Sequence, residues 1–271
     1  HFEKNTAYGY HTRFGIPEAE RIRKIEENYE HSRIAGGVPA AVGQYPYKAG
    51  IIGDIMGMSA LSVCGGSLIT TSRVTTAAHC WFDGTHQAWR FTVVLGSALL
   101  FSGGTRLTSS AVASHPNWSP LLTRNDLAVV YLANEVVTSA NIAPIALPTG
   151  SELFENFAGQ AATAIGFGAT GDNNPITTAQ TLAHVRLNVI TNTVCTLAFP
   201  LIIQSSHICT SGAGGVGICG GDSGAPLVFT SNNEPILIGV SSFRAATGCQ
   251  GGMPSVFSRV TSYIDFLNQH M

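Results

Sequence analysis

The octapeptide CGGDSGAP (residues 219–226) decides the fold that this sequence predicts. Its serine, Ser223, stands between polar and glycine residues and precedes the run APLVFT, which is typical of a β-strand. A serine hydroxyl becomes a strong nucleophile when a neighbouring imidazole takes its proton. Glycines nearby let backbone N–H groups approach a developing oxyanion without interference from side chains. The stretch therefore indicates a reactive serine in a β-rich chain.

Two further stretches supply the partners that such a serine needs. TTAAHC (residues 75–80) holds His79, and RNDLAVV (residues 124–130) holds Asp126. The imidazole would accept the serine proton, and the carboxylate would fix the imidazole tautomer and stabilise its cationic form. Alone, each fragment has an ordinary structural explanation, such as a turn or cap residue. Together they predict a catalytic triad of His79, Asp126 and Ser223 for acyl transfer.

The composition narrows the class of protein. Of 271 residues, 45% are hydrophobic and 11% charged, and 30 glycines and 12 prolines among short β-branched runs favour a compact all-β fold. A net charge of −2 without a basic cluster argues against a nucleic-acid partner. No apolar run is long enough to predict a membrane span. Without an HExxH pair, and without a carboxylate in residues 84–125, no metal or other cofactor is expected.

The cysteines indicate the redox compartment. Six cysteines without a CxxC pair favour three disulfides over a metal site, and disulfides favour a secreted protein. Their spacing alone does not choose among the possible pairings. The six are Cys64, Cys80, Cys195, Cys209, Cys219 and Cys249.

Short apolar runs separated by Gly, Asn, Pro and Ser clusters predict strands along most of the chain. These runs are residues 65–70, 90–95, 126–132, 161–168, 225–230 and 235–243. Two segments look helical instead. Near the start, Pro17 suits a first helical turn, with Ile22 and Ile25 on one apolar face. At the tail, Thr261 or Ser262 could cap a final helix.

The motifs TTAAHC, NDLAVV and CGGDSGAP, with IAGG at residues 34–37, resemble secreted serine proteases of the chymotrypsin/trypsin family. The resemblance covers residues 34–271. It implies an all-β fold of two antiparallel six-stranded β-barrels, approximately residues 34–145 and 146–271, with a C-terminal helix and the triad between the barrels. It also implies an oxyanion hole formed by the N–H groups of Gly221 and Ser223.

The same resemblance implies how the cysteines pair. The family pattern joins Cys64 to Cys80, Cys195 to Cys209, and Cys219 to Cys249.

The resemblance also carries an expectation about substrate. In this family the residue six before the nucleophile lies at the base of the primary specificity pocket, and here it is Gly217. Glycine cannot pair with a substrate Lys or Arg, so a chymotrypsin-like preference for large apolar residues is expected. Arg244 stands where relatives usually have glycine, which leaves elastase-like or acidic-residue specificity as an alternative. The expected substrate-binding residues are Gly217, Ile218, Ser242, Phe243, Arg244 and Ser255.

The bond between Arg33 and Ile34 separates a charged segment from the glycine-rich chain that follows. The resemblance implies that residues 1–33 are an activation propeptide, removed when a trypsin-like protease cuts after Arg33. The new amine of Ile34 would then pair with the carboxylate of Asp222. Before cleavage, Asp222 should bond elsewhere and the oxyanion hole should be incomplete, while the triad can already be assembled.

Two readings from other classes compete with the protease. An α/β-hydrolase would place Asp265 and His270 after the serine, but there the nucleophile must run into a helix, and Ser223 precedes a strand-like run. A catalytically inactive homologue acting as a binding module would require loss of a triad residue, and all three are present.

The remaining expectations concern partners and location. Protein or peptide substrates, an activating protease and protein inhibitors are the expected partners of a monomer. After residue 33 the chain has seven arginines and one lysine, Lys48, which favours an alkaline environment because arginine stays protonated where lysine discharges. With the uncharged pocket, this resembles insect digestive chymotrypsins and implies secretion, with the gut lumen as the candidate compartment.

Overall fold

Strands account for most of the regular structure, as the apolar runs predict. The computed structural model describes residues 5–31, 41–168 and 182–271, with the side chains of 28–31 left out. In its first half the strands are β1 (Lys48–Ile55), β2 (Leu61–Thr70), β3 (Arg73–Thr76), β4 (Ala88–Leu95), β5 (Thr105–Ser109), β6 (Val112–Ser114) and β7 (Ala128–Tyr131). In its second half they are β8 (Ala161–Gly166), β9 (Ala183–Ile190), β10 (His207–Thr210), β11 (Pro226–Ser231), β12 (Glu234–Phe243) and β13 (Ser255–Arg259).

The first half forms a sheet of seven antiparallel strands in the order β5-β4-β1-β2-β3-β7-β6. Its two edge strands, β5 and β6, are consecutive in the chain, so continuity of the chain joins the two edges. The joint is held by the Ser109 hydroxyl, which donates to the Tyr131 carbonyl (2.6 Å), and by the Tyr131 N–H, which donates to the Ala111 carbonyl (2.9 Å). The sheet is therefore barrel-like, and its seventh strand arises because one strand of the expected six is broken in two.

The second half closes completely. Its six strands form an antiparallel barrel in the order β10-β13-β12-β11-β8-β9. An apolar cluster shared by both halves includes Val63 and Leu127 from the first and Ile165 and Val240 from the second. The expectation of an all-β protein with two antiparallel barrels is confirmed.

Three α-helices flank the barrels: α1 (Ile16–His31), α2 (Asn192–Ala198) and α3 (Ile264–Gln269). Helix α1 begins beside Pro17 as predicted, after a π-helical turn at His11–Gly15. Helix α2 is absent from the sequence prediction, although the Thr191 hydroxyl caps it by accepting from the N–H of Val194 (3.3 Å). The tail helix is confirmed, but neither Thr261 nor Ser262 is its N-cap, because a 3₁₀ turn at Val260–Tyr263 leads into it.

Three disulfides connect the chain, and they are the pairs that the resemblance implies: Cys64–Cys80, Cys195–Cys209 and Cys219–Cys249. The first fastens β2 to the turn after β3, which carries His79. In the described ranges, none of the helices combines the length and the apolar character that crossing a membrane requires.

Most arginines of residues 41–271 lie within paired strands. They are Arg73 in β3, Arg90 in β4, Arg106 in β5, Arg186 in β9 and Arg259 in β13.

Candidate active site

Two neighbouring strands bring His79 and Asp126 together. His79 lies on the 3₁₀ turn that follows β3, and Asp126 immediately precedes β7, the antiparallel neighbour of β3. The His79 Nδ1–H donates to Asp126 Oδ2 at 2.7 Å, and the His79 backbone N–H donates to Oδ1 at 2.9 Å. Both side chains are fully buried. The carboxylate therefore fixes both the position of the imidazole and which of its nitrogens carries a proton.

Serines from the second barrel complete the surroundings of Asp126. The Ser242 hydroxyl donates to Asp126 Oδ2 at 2.5 Å, and the Ser258 hydroxyl donates to the Asp126 carbonyl at 2.7 Å. The sequence indicated Ser242 as a wall of the substrate pocket and gave no sign that its hydroxyl bonds the carboxylate. Because β12 and β13 supply these serines, both barrels hold the Asp126 carboxylate.

The loop that carries Ser223 is fastened between the two barrels. The Gly65 N–H of β2 donates to the Ser223 carbonyl at 2.6 Å, and the Gly224 N–H donates to the Ser241 carbonyl at 2.8 Å. Gly224 has φ +78°, and a Cβ there would lie 2.2 Å from the hydroxyl oxygen of Thr76. Only glycine can occupy this position, because any side chain would push the loop away from β2 and β3.

A residue that the sequence did not single out faces His79 and Ser223. Tyr10 is buried, with its ring centroid 4.8 Å from that of His79. Burial raises the pKa of Tyr10, and a hydrogen bond with the Ser223 hydroxyl acts in the opposite direction. Among the described residues, His79 Nε2 has no hydrogen-bond partner. In this form of the protein the serine hydroxyl is thus next to a phenol instead of bonded to the imidazole.

Asp222 is held by backbone groups. Its Oδ1 accepts from the Gly168 N–H at 3.0 Å, and its Oδ2 accepts from the Cys219 N–H at 2.9 Å. Burial raises the pKa of Asp222, while these two hydrogen bonds and the positive charges of Lys48 and Arg244 lower it. Asp222 borders a mostly apolar cavity of about 240 Å³.

Lys48 is a buried cation on the far side of the same loop. Its ammonium donates to the Ala49 carbonyl at 2.7 Å and lies 5.5 Å from the centre of the Phe167 ring. Burial lowers the pKa of Lys48 to about 7, and the negative charge of Asp222 opposes that shift. The Asp222 carboxylate therefore has a nearby countercharge when Lys48 is protonated.

The expected pocket residues fall into two groups. Gly217, Ile218 and Ser255 meet, since the Ser255 hydroxyl accepts from the Ile218 N–H at 3.1 Å and a Cβ on Gly217 would contact that hydroxyl. Phe243 turns into the core, where its ring packs edge-on against another aromatic ring. The Arg244 guanidinium lies 5.7 Å from the centre of the ring of Phe14, which belongs to the segment before Arg33.

Two of the predicted residues cannot be placed in the site. Arg33 and Ile34, the expected cleavage point, lie outside the described residues.

Two β-barrels that meet at a buried imidazole–carboxylate pair, with a glycine-flanked serine beside it, define a serine protease of the chymotrypsin fold. The Trypsin family matches residues 34–267, and the chain belongs to that family. It is therefore a serine endopeptidase by family.

Several relatives are similar over most of this chain. A collagenase from Hypoderma lineatum is 39% identical over 240 residues, covering 88% of this chain and 87% of the relative. Brachyurin from Leptuca pugilator is 34% identical, covering 86% and 96%. A solved structure of HL collagenase superposes with a TM-score of 0.77 and 36% identity, covering 88% of this chain and 98% of that one.

Proposed function

We propose that the chain is the zymogen of a secreted serine endopeptidase in which Ser223 is the nucleophile, His79 the general base and then general acid, and Asp126 the orienting carboxylate. The observation that carries this proposal is the fully buried 2.7 Å hydrogen bond between His79 Nδ1 and Asp126, beside the loop of Ser223. That bond leaves Nε2 as the nitrogen available to the serine proton. Proteins and peptides are the proposed substrates.

In the reaction that these residues support, Ser223 Oγ attacks the substrate carbonyl carbon while its proton passes to His79 Nε2. The N–H groups of Gly221 and Ser223 would stabilise the negative oxygen of the tetrahedral intermediate. His79 then gives the proton to the leaving amine, and the peptide bond breaks to leave an acyl-enzyme. Water, deprotonated by His79, attacks the ester and releases the acid and the free Ser223.

Activation requires a cut after Arg33. The released amine of Ile34 would enter the cavity beside Asp222 and pair with its carboxylate, and the apolar lining would receive the isoleucine side chain. Asp222 would then exchange its bonds to Gly168 and Cys219 for the ammonium group. The neighbouring Gly221 and Ser223 would move with it into the geometry of an oxyanion hole.

The proposed specificity is cleavage after large apolar residues. Gly217, Ile218 and Ser255, the residues expected at the base of the pocket, carry no charged side chain. The alternative is a preference for small or acidic residues. It depends on the Arg244 side chain entering the pocket once the Phe14 ring no longer lies beside that side chain.

The first test is activation by trypsin. Cleaved protein, separated from the released residues 1–33, should have the N-terminal sequence IAGGV, hydrolyse a chromogenic peptide and become labelled at Ser223 by a phosphonyl fluoride. Arg33→Gln protein, treated in the same way, should stay uncut and inactive. Cleaved protein that is neither labelled nor active after residues 1–33 have been removed would establish the inactive binding module instead.

The second test concerns specificity. Activated enzyme should cut a peptide library after Phe, Tyr and Leu, and Gly217→Asp should weaken that activity without producing an efficient trypsin. A preference for Asp or Glu that Arg244→Gly abolishes would support the alternative. A preference for Lys or Arg in the unchanged enzyme would refute both assignments of the pocket.

A further inference from the structure

The segment before the proposed cleavage point is packed into the protease. Some of its side chains face solvent and others are buried against the barrels. A segment that served only as an exposed leader would not need the buried ones. The buried side chains are Asn5, Thr6, Ala7, Tyr10, His11, Glu18, Ala19, Ile22, Ile25 and Glu26. Burial of these ten side chains, two of them carboxylates, indicates a specific docked arrangement.

Tyr10 provides the central contact. Its ring packs edge-on against the His79 ring, its hydroxyl donates to the Val63 carbonyl at 2.7 Å, and the Ser223 hydroxyl lies beside it. A buried aromatic ring with a satisfied hydroxyl is typical of the residues that dominate binding energy at interfaces. Substrate cannot reach either catalytic group while Tyr10 lies there.

Upstream of Tyr10, the segment pairs with the chain that follows β12. Asn5 forms an isolated antiparallel bridge with Ala245, and the Thr6 hydroxyl accepts from the Arg244 N–H at 3.2 Å. Ala7 packs in an apolar cluster with Phe243. Phe243 and Arg244, which the sequence indicated as substrate-binding residues, are therefore in contact with the segment.

Around Tyr10 itself, Asp83 holds the backbone. The Gly9 N–H donates to the Asp83 carbonyl at 3.0 Å, and the His11 N–H donates to the Asp83 carboxylate at 2.8 Å. The His11 ring forms a further hydrogen bond through Nδ1 with the Ser62 hydroxyl, at 2.8 Å. These bonds fix the turn that aims Tyr10 at the catalytic pair.

Downstream, two acidic residues fasten helix α1. Glu18 packs against the loop of the nucleophile, because a Cβ built on Gly221 would lie 2.8 Å from Glu18 Cγ. One turn beyond Ile22, the Glu26 carboxylate accepts from the N–H groups of Leu100 and Phe101, the latter at 2.8 Å. The segment is thus anchored on both barrels and over the expected oxyanion hole.

From these contacts we infer that residues 5–27 are a built-in inhibitor that occupies the active-site cleft and still binds there after the chain is cut at Arg33. The inference rests on the proposed protease function. None of the contacts involves the bond between residues 33 and 34, and residues 1–33 contain no cysteine that could tether them. Full activity therefore requires two events, the cut and the dissociation of the segment.

The backbone explains why the segment is not simply digested. Tyr10 has φ −55° and ψ −45°, and the π-helical turn His11–Gly15 follows it. An extended peptide adds to a sheet edge through its backbone, whereas this coiled stretch presents a side chain to the catalytic pair. The phenol ring of Tyr10 contains no bond that Ser223 can hydrolyse.

A synthetic peptide of residues 5–27 provides the direct test. Added to activated enzyme freed of its own propeptide, it should inhibit hydrolysis of a chromogenic peptide competitively. The Tyr10→Ala peptide should inhibit at least about 30-fold more weakly, the effect expected for a central buried aromatic anchor. The Thr12→Ala peptide is the matched control, since Thr12 is exposed, and it should inhibit like the parent. Absence of inhibition, or equal inhibition by the Tyr10→Ala peptide, would refute the inference.

A second measurement does not depend on catalysis. Ser223→Ala protein, cut by trypsin after Arg33, should retain the released peptide during gel filtration, whereas the same protein carrying Tyr10→Ala should lose it. Separation of the peptide from the first protein would overturn the inference even if the activated enzyme is fully active. Retention of the peptide, combined with inactivity of the cut Ser223 protein even after its peptide has been removed, would leave the binding of the segment intact and refute the protease function alone.

Discussion

The two nitrogens of the His79 ring differ in whether their hydrogen-bond partners are in place. On the Nδ1 side, Asp126 is fixed by the imidazole, by the His79 N–H and by the Ser242 hydroxyl, with Ser258 bonded to its carbonyl. On the Nε2 side, the ring has no hydrogen-bond partner among the described residues and faces Tyr10. Strand pairing builds the first side, so it exists in any folded form of the chain. The second side depends on what lies in the cleft, so it is where activity can be withheld.

The largest expected effect comes from removing the groups that must meet on the Nε2 side. Ser223→Ala or His79→Ala should lower kcat of the activated enzyme by about 10⁶, because the two residues act as one unit. For the same reason the double variant should be little worse than either single variant. Steady-state kinetics on a chromogenic peptide measure this. Additive losses would show that serine and histidine do not act together.

The next largest effect is expected from removing the proposed ion pair that assembles the Nε2 side. Asp222→Asn should leave cleavage by trypsin intact but lower kcat/KM of the cut enzyme by roughly 10²–10⁴, because loss of one partner of a buried ion pair costs about 3–5 kcal/mol. Asp265→Asn is the control, because Asp265 is exposed on α3 and should have no effect. A large loss from Asp265→Asn would show that the loss in Asp222→Asn does not report on a specific ion pair.

On the Nδ1 side a smaller effect is expected. Ser242→Ala removes one hydrogen bond to a carboxylate that keeps its other donors, so kcat should fall by about 10-fold. Ser241→Ala is a close control, since its buried hydroxyl has no hydrogen-bond partner among the described residues. If the two variants lose equal activity, the Ser242 bond does not help to orient Asp126.

The smallest expected effect is a pH dependence of the segment that covers the Nε2 side. Burial lowers the pKa of His11 to about 4, with His79 and His86 acting in the same direction and Asp83 opposing them. Since a free histidine titrates near 6.5, docking must discharge it, and binding of the 5–27 peptide should weaken as pH falls from about 6.5 towards 4.

Two other groups of the segment give its docking the opposite pH dependence. Burial raises the pKa of Glu18 and of Glu26, so each favours docking at low pH and opposes it as pH rises. The comparison that isolates His11 is therefore the parent peptide against His11→Gln. Between pH 7 and pH 5 the parent should lose on the order of 10-fold more affinity than the variant, measured by inhibition or calorimetry. An equal loss would show that His11 stays neutral when free or charged when docked.

Much of the site can be predicted from the sequence because its chemistry lies in contiguous motifs. The strands next to those motifs are confirmed, as are the three disulfides. Strand β1 escaped prediction because it is buried along nearly its whole length and shows no alternation. Strand β5 escaped for the opposite reason, since TRLTS is largely exposed and has little apolar character.

What the sequence could not reveal are contacts between distant residues. Tyr10 meets Val63 across 53 positions, and Ser242 meets Asp126 across 116. Neither residue carries a local signal, because a tyrosine in a polar stretch and a serine at the end of a strand have many ordinary explanations. The apolar face of Ile22 and Ile25 predicted a helix, but not which surface of the protein that face is buried against.

The placement of arginines in strands has a consequence for durability. A protease that cuts after basic residues must draw its substrate into an extended stretch, which a residue paired on both sides cannot become without leaving its sheet. Arg73, in β3 between β2 and β7, is held in this way, and the single lysine after residue 33 is buried. We therefore expect the proposed activating enzyme to cut after Arg33 faster than after an arginine held in this way, so that the product would persist among the proteases that release it.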